Sequence, residues 1–224
     1  MMRQRCPALP AIRLNPNPQM TTTPYDAIAD QFNEIRTSLW GKEPEYLALL
    51  LNPLAVGSMI LDLGCGTGTP IAAHIASRGH HVVGVDGSKA MLELAHRRLP
   101  GHRWIHDLME HVEFDETFDA VICWDSLFHL PRQHYQPVLS KIHRWLTPGG
   151  RLMVSSGGNV DDSGSGFTDT MFGQEFYYDS LTPKQMVATL NEIGFDILLA
   201  EMCDLPNGDR DKGKWATIAT KRES

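Results

Sequence analysis

The stretch Ile60-Leu61-Asp62-Leu63-Gly64-Cys65-Gly66-Thr67-Gly68-Thr69-Pro70 joins a hydrophobic run to three alternate glycines and then to a helix start. Met59 to Leu63 reads as a short strand buried on both faces, because it is apolar and bounded by turn residues. Asp62 is the exception, a carboxylate inside that apolar run. The glycines allow a sharp turn and a close approach to a ligand, since no Cβ intervenes and positive φ is open to them. Thr69 is placed to cap the next helix and Pro70 to fill its first position, where a missing N–H costs nothing. The helix N-terminus would then face the loop, and its unpaired N–H groups suit a carboxylate or another anionic group.

Outward from this stretch the pattern alternates. Upstream, residues 25–38 read as helix from the spacing of Ala27, Ile28, Phe32 and Ile35, continued by Leu39 just beyond, and residues 43–54 give a second apolar helix face. Downstream, residues 71–78 read as helix and 81–86 as strand, and Ser88 caps a helix that Pro100-Gly101 stops. Strands are expected at 103–106, 118–124 and 151–155, the last entered through the turn Thr147-Pro148-Gly149-Gly150, with a helix over 133–146. Thr182 and Gln185 form a capping box for a helix that Gly194 ends, and residues 195–203 and 214–220 read as an antiparallel pair. Strand and helix in this order imply a Rossmann-like, doubly wound α/β sheet of about seven strands. It would be mostly parallel, with an antiparallel C-terminal strand and helices on both faces.

Two segments fall outside the alternation. Residues 1–23 are proline-rich with no apolar period, as expected of a disordered arm. Residues 157–182 begin Gly/Ser/Asp-rich and become aromatic, as expected of a lid over a binding site. The rest, 24–224, is expected to be one domain, with 24–56 supplying helices ahead of the first strand. A chain of 224 residues with 42% hydrophobic content has material for one sizeable core. The net charge of −7 offers no basic surplus for a phosphate backbone, which argues against nucleic acid as partner. The four cysteines have no metal-type spacing, and no metal site is expected. No apolar run reaches membrane-spanning length and no secretory signal is read at the start, so the expectation is a cytoplasmic protein without a membrane partner. His80, His81, His96, His102 and His143 read as surface positions.

The glycine loop alone is a weak signal, because several nucleotide-binding folds share it. A dinucleotide fingerprint would need glycine where Thr69 stands, and a P-loop would need a Gly-Lys-Ser/Thr ending. LDLGCGTG at 61–68 resembles the first motif of class I S-adenosylmethionine-dependent methyltransferases, of the small-molecule type. VVGVDGS at 82–88, His106-Asp107-Leu108, FDAVICWDSLFHL at 118–130 and LTPGGRLMVS at 146–155 resemble the motifs that follow it. Together these cover residues 25–156. Beyond Gly157 only the general architecture is similar.

The resemblance implies S-adenosylmethionine as cofactor and S-adenosylhomocysteine as product. It places Asp62 near the cofactor's amino group and Gly64, Cys65, Gly66 and Gly68 around its methionine part. Asp86, with Gly87 beside it, falls on the ribose hydroxyls, and Asp107 and Leu108 fall at the adenine. Cys65 itself reads as a small filler, since no basic neighbour would lower its pKa. An N-terminal cover helix is common in this family, which makes Tyr25 and Trp40 candidates for the pocket. Trp124 and Asp125 follow the fourth strand, at the carboxyl end where ligands lie in open α/β sheets. Asp125, Ser126 and His129 are candidates for the acceptor side, with His129 the candidate general base. Tyr177 and Tyr178 are candidates to line the acceptor pocket.

The implied reaction is in-line transfer of the sulfonium methyl to a small-molecule acceptor, by a monomer or homodimer. Two alternatives stay open, a nicotinamide-dependent oxidoreductase of related fold and a non-catalytic sensor of S-adenosylmethionine.

Overall fold

The computed structural model describes residues 23–158, 166–207 and 213–223. The expected N-terminal arm, apart from Thr23, lies outside these residues, as do positions 159–165 of the expected lid. The elements run α1 (Pro24–Ile35), α2 (Glu43–Leu51), β1 (Met59–Leu63), α3 (Ile71–Ser77), β2 (His81–Asp86), α4 (Lys89–Arg98), β3 (Arg103–His106) and β4 (Phe118–Cys123). They continue α5 (Tyr135–Trp145), β5 (Leu146–Gly157), β6 (Phe167–Met171), β7 (Gln174–Tyr178), α6 (Pro183–Ile193), β8 (Phe195–Asp204) and β9 (Lys214–Lys221).

Seven strands form one sheet in the order β3-β2-β1-β4-β5-β9-β8. All neighbours from β3 to β5 pair in parallel, and β9 is antiparallel to both β5 and β8. The antiparallel C-terminal strand is therefore β9, inserted between β5 and β8. Alternation along each strand explains the two layers. Leu61, Leu63, Val83, Val85, Val121 and Val154 belong to a core with α5 and α6, whereas Ile60, Val82, Ala120, Ile122 and Met153 belong to one with α2 and α3. The chain winds from β1 outward to β3 and returns to β4 on the other side of β1. This leaves a crevice beyond the carboxyl ends of β1 and β4, where the strand order reverses.

Several local expectations change. Helix α3 is capped by Pro70, not by Thr69, which makes no capping bond. The N–H of Ala73 instead finds the carbonyl of Gly68, so the glycine loop itself closes the first turn. The Thr147–Gly150 turn is absorbed into β5 as an irregularity in the pairing with β4. The aromatic part of 157–182 is a two-stranded hairpin, β6 on β7, turning at Phe172 and Gly173 with positive φ at both. His80 is buried at 5% exposure, not at the surface. His102 is drawn inward because its Nδ1 accepts the N–H of Val82, and His143 packs edge-on against Phe195.

A buried ion pair ties the first two helices to the sheet. Arg36 and Glu43 are 5% and 2% exposed, with Nη2 2.5 Å from Oε1. The same Oε1 accepts the indole N–H of Trp124 at 2.8 Å, and Oε2 accepts the Trp40 N–H at 2.9 Å. Arg36 also stacks over the Trp40 ring at 4.2 Å. One carboxylate thus holds both ends of the α1–α2 connection and the end of β4. Glu43→Ala, which strands the Arg36 charge, is expected to cost about 3–5 kcal/mol in denaturant unfolding. A loss below about 1 kcal/mol would show the pair behaving like an exposed one.

Candidate functional site

The crevice is an open cavity of about 1320 Å³. Its floor is the loop from β1 to α3. Gly64 has a φ of 76°, and a Cβ there would lie 2.2 Å from the Cβ of Ser126, so only glycine lets the loop lie against the segment that follows β4. Ser126 completes that seam by donating its hydroxyl hydrogen to the Leu63 carbonyl at 2.8 Å. Its side chain is thereby occupied within the fold.

Three acidic residues stand at strand ends around the loop. Asp62 is 3% exposed and its carboxylate has no hydrogen-bond partner among the described residues. Burial, followed by the charge of Asp86, pushes its carboxyl up to about 7. Asp86 accepts the N–H of Gly66 on Oδ2 and that of Ser88 on Oδ1, both at 2.8 Å. Burial raises its pKa, and these two bonds oppose the rise. Asp107 lies at the end of β3, its Oδ1 accepting the Leu108 N–H at 2.8 Å, and Leu108 packs beside Gly87. Cys65 is buried with its thiol pushed well above the ordinary value, which fits a filler and not a nucleophile.

Helix α1 lies across this floor. Asp26 accepts the Ser88 hydroxyl at 2.7 Å and the Ala90 N–H at 3.0 Å on Oδ1, and the Thr23 N–H at 2.9 Å on Oδ2, latching α1 to the start of α4. Phe32 and Tyr25 from the same helix line the cavity. Neither Asp26 nor Phe32 stands out in the sequence. Asp26 lies three residues after Thr23, a spacing that could have marked the latch as a helix cap. Trp40 lines the rim and remains 47% exposed, and Trp124 lines the cavity as its buried wall.

The far end is aromatic. His129, in a short helical turn after β4, has Nε2 2.8 Å from the Tyr25 hydroxyl and Nδ1 3.0 Å from the Tyr177 carbonyl oxygen. Tyr178 stacks between Phe128 and Phe167. Tyr177 contributes its backbone, while its hydroxyl points to Asp179 at 3.3 Å. Asp125 has a φ of 51°, a costly conformation for a residue with a Cβ. It is held by the Ser155 hydroxyl, which accepts its N–H at 2.7 Å, and by Lys214, whose Nζ lies 3.0 Å from Oδ1. The structure therefore gathers the sequence candidates around one cavity with the exception of Gly68, which does not line it and packs towards Trp104 and Ala95. The hairpin β6–β7 and the Lys214 partner of Asp125 were not visible as contributors in the sequence. Among the described residues no His/Cys/Asp/Glu group could hold a metal, and no helix is long and apolar enough to cross a membrane.

Residues 60–150 match the model of a methyltransferase domain. The chain is similar to demethylmenaquinone methyltransferase of Clavibacter sepedonicus, 33% identical over 150 residues covering 63% of this chain and 59% of that protein. It is also similar to a ubiquinone biosynthesis O-methyltransferase of Pseudomonas syringae pv. tomato, 33% identical over 145 residues, covering 56% and 60%. The chain thus spans no more than 60% of the length of these curated relatives. Among solved structures, its fold is similar to Burkholderia thailandensis 1,6-didemethyltoxoflavin-N1-methyltransferase with bound 1,6-didemethyltoxoflavin and S-adenosylhomocysteine. That match has a TM-score of 0.65 at 21% identity, covering 89% of this chain and 84% of the other. Residues 60–150 thus carry a methyltransferase-domain pattern, and the glycine loop, acidic strand ends and doubly wound sheet give the chain a fold similar to that of solved S-adenosylmethionine-dependent methyltransferases.

Proposed function

We propose that the protein transfers the sulfonium methyl of S-adenosylmethionine to a small-molecule acceptor by in-line displacement. The observation that carries the reading is Asp62, a buried carboxylate with no hydrogen-bond partner among the described residues, beside a glycine loop at the switch point of the sheet. A buried, unpaired carboxylate is costly, and a cationic ligand group offsets that cost. The cofactor's ammonium supplies such a group. Asp86 retains acceptor capacity beyond its two backbone bonds, enough for a pair of ribose hydroxyls. Asp107 and Leu108 are assigned to the adenine. Gly64, Cys65, Gly66 and Gly68 are assigned to the methionine part, with Gly87, Trp124, Trp40 and Tyr25 as cofactor walls.

The cofactor supplies a methyl group already activated as a sulfonium. What falls to the chain is alignment, which can account for about 7–11 kcal/mol of a barrier in favourable cases. His129 and Asp125 are assigned to the acceptor side, with Ser126, Tyr177 and Tyr178. The names of the curated relatives support a small-molecule acceptor, and the open, aromatic far half of the cavity favours methyl transfer over a purely sensing role. On this reading residues 24–224 act as one cytoplasmic catalytic domain, monomeric or homodimeric, with no nucleic-acid or membrane partner.

Calorimetric titration is expected to show binding of S-adenosylmethionine and S-adenosylhomocysteine, and none of NAD. Binding of NAD alone would overturn the reading. Asp86→Ala is expected to weaken cofactor binding at least about tenfold through lost ribose hydrogen bonds. A folded variant with unchanged affinity would remove Asp86 from the ribose site.

Asp62 predicts a pH dependence. Its carboxyl titrates at about 7, and below that it carries a proton and no longer attracts an ammonium. Cofactor affinity is therefore expected to fall from about pH 8 to about pH 6, by at most about tenfold per pH unit, and Asp62→Asn should bind more weakly without this slope. The same shift acts on folding with a definite sign. The native state binds a proton that the unfolded chain releases above its ordinary 3.8, so this group's contribution to stability is lost as pH rises towards about 7.

A further inference from the structure

His129 has no free nitrogen at the acceptor end of the cavity. A carbonyl oxygen can only accept, so Nδ1, 3.0 Å from the Tyr177 carbonyl, carries the ring proton. Nε2 is then the unprotonated nitrogen, and the Tyr25 hydroxyl donates to it at 2.8 Å. The histidine lone pair is directed at Tyr25 and screened from anything else in the cavity. Tyr25 gives its one hydrogen to His129 and keeps oxygen lone pairs on the cavity side. Its ring is fixed against Phe32 and Phe176, with centroids 5.9 and 4.7 Å away. The neighbouring wall is a run of near-parallel rings, Phe128 on Tyr178 at 27° and Tyr178 on Phe167 at 21°. Such a wall suits a flat conjugated ligand.

We propose that Tyr25 is the catalytic residue that receives the acceptor's proton, that His129 acts through it, and that the acceptor is a planar phenolic hydroxyl. The proposal rests on the methyl-transfer reading above. The acceptor's proton passes to the Tyr25 oxygen as Tyr25's own proton passes to Nε2 of His129. The acceptor oxygen, left with its electron pair, forms the new C–O bond while the C–S bond breaks and its electrons remain on sulfur as a neutral thioether. After product leaves, the imidazolium returns its proton through Tyr25 to water.

The acidities select the substrate class. A phenol has a pKa of about 10, which makes it the hydroxyl acceptor nearest in acidity to the imidazolium on which its proton comes to rest. An aliphatic hydroxyl is a far weaker acid, and a relay ending on an imidazole does not ionise it. Burial, with Tyr178, Asp86 and Asp125 nearby, raises the Tyr25 pKa, so the phenol keeps its proton until the acceptor arrives. Burial lowers the His129 pKa and keeps the ring neutral near pH 7. The Tyr177 carbonyl and the charge of Asp125, itself paired with Lys214, favour the imidazolium once it forms.

The test uses the full chain with Tyr25→Phe and His129→Asn, the latter keeping a donor near the Tyr177 carbonyl while removing the Nε2 base. Without cofactor, nitrogen NMR of His129 is expected to show protonated Nδ1 and a hydrogen-bonded, unprotonated Nε2. Its titration midpoint should rise in Tyr25→Phe, because a bond to the neutral ring is lost. With S-adenosylmethionine, thioether formation is followed on substituted phenols and hydroxynaphthalenes. Tyr25→Phe and His129→Asn are expected to lose about a hundredfold or more in kcat on weakly acidic p-cresol, but little on p-nitrophenol assayed where it is already ionised. Equal losses on both probes, or a protonated Nε2 in the resting protein, would overturn the relay. Cofactor binding without methylation of any phenol, or equal turnover of aliphatic alcohols, would overturn the acceptor class and leave the methyl-transfer reading standing. Absence of cofactor binding would remove that reading itself.

Discussion

The molecule depends on how closely the loop after β1 meets the segment after β4. The Ser126 hydroxyl reaches the Leu63 carbonyl, and no side chain at position 64 could fit between them. That seam brings the floor of the cavity and the start of its acceptor wall together at the one place in the sheet where adjacent strands lead away in opposite directions. The carboxylates at the ends of β1, β2 and β3 then fall on one side of it, and Trp124, Asp125 and His129 on the other.

The two sides differ in chemistry. The floor is acidic and poor in compensation, with Asp62 lacking a hydrogen-bond partner among the described residues and Asp86 held only by backbone N–H groups. Its fields are aimed at a cation and at hydroxyl hydrogens. The far wall has its charges already matched, Asp125 with Lys214 and Asp179 with Arg132, and presents rings instead. A ligand that bridges them must be charged at one end, and its partner must be flat and nearly neutral. The backbone strain at Asp125 lies at the boundary, consistent with a residue held in place by the groups around it.

The sheet was legible because its signals are local. Strand-length apolar runs, a capping serine at Ser88, a capping box at Thr182 and the left-handed Gly194 all act within a few residues, and each stands where its pattern places it. The acidic strand ends were legible because they follow apolar runs at fixed places. The far wall was not, for the opposite reason. The hairpin β6–β7 turns through Phe172-Gly173, which is not among the strong turn pairs, and its register depends on packing against His129 and α1. The contacts of Glu43 with Trp124, Asp26 with Ser88 and Tyr25 with His129 join residues 81, 62 and 104 positions apart. Such pairs leave no periodicity for a sequence to carry. The shift of the α3 cap from Thr69 to Pro70 shows the same limit at short range, since the loop's own carbonyls outcompeted a favourable side chain.

Helix α1 carries Phe32 over the glycine loop, Asp26 latched to α4, and Tyr25 against His129. All three stand on one short helix, Tyr25 and Asp26 in its first turn and Phe32 about two turns on, so they are constrained to move together. Lifting the helix to admit a ligand would break the latch and withdraw the phenol from the imidazole in the same motion. A molecule with α1 lifted would therefore lack both contacts at once and could regain them only together.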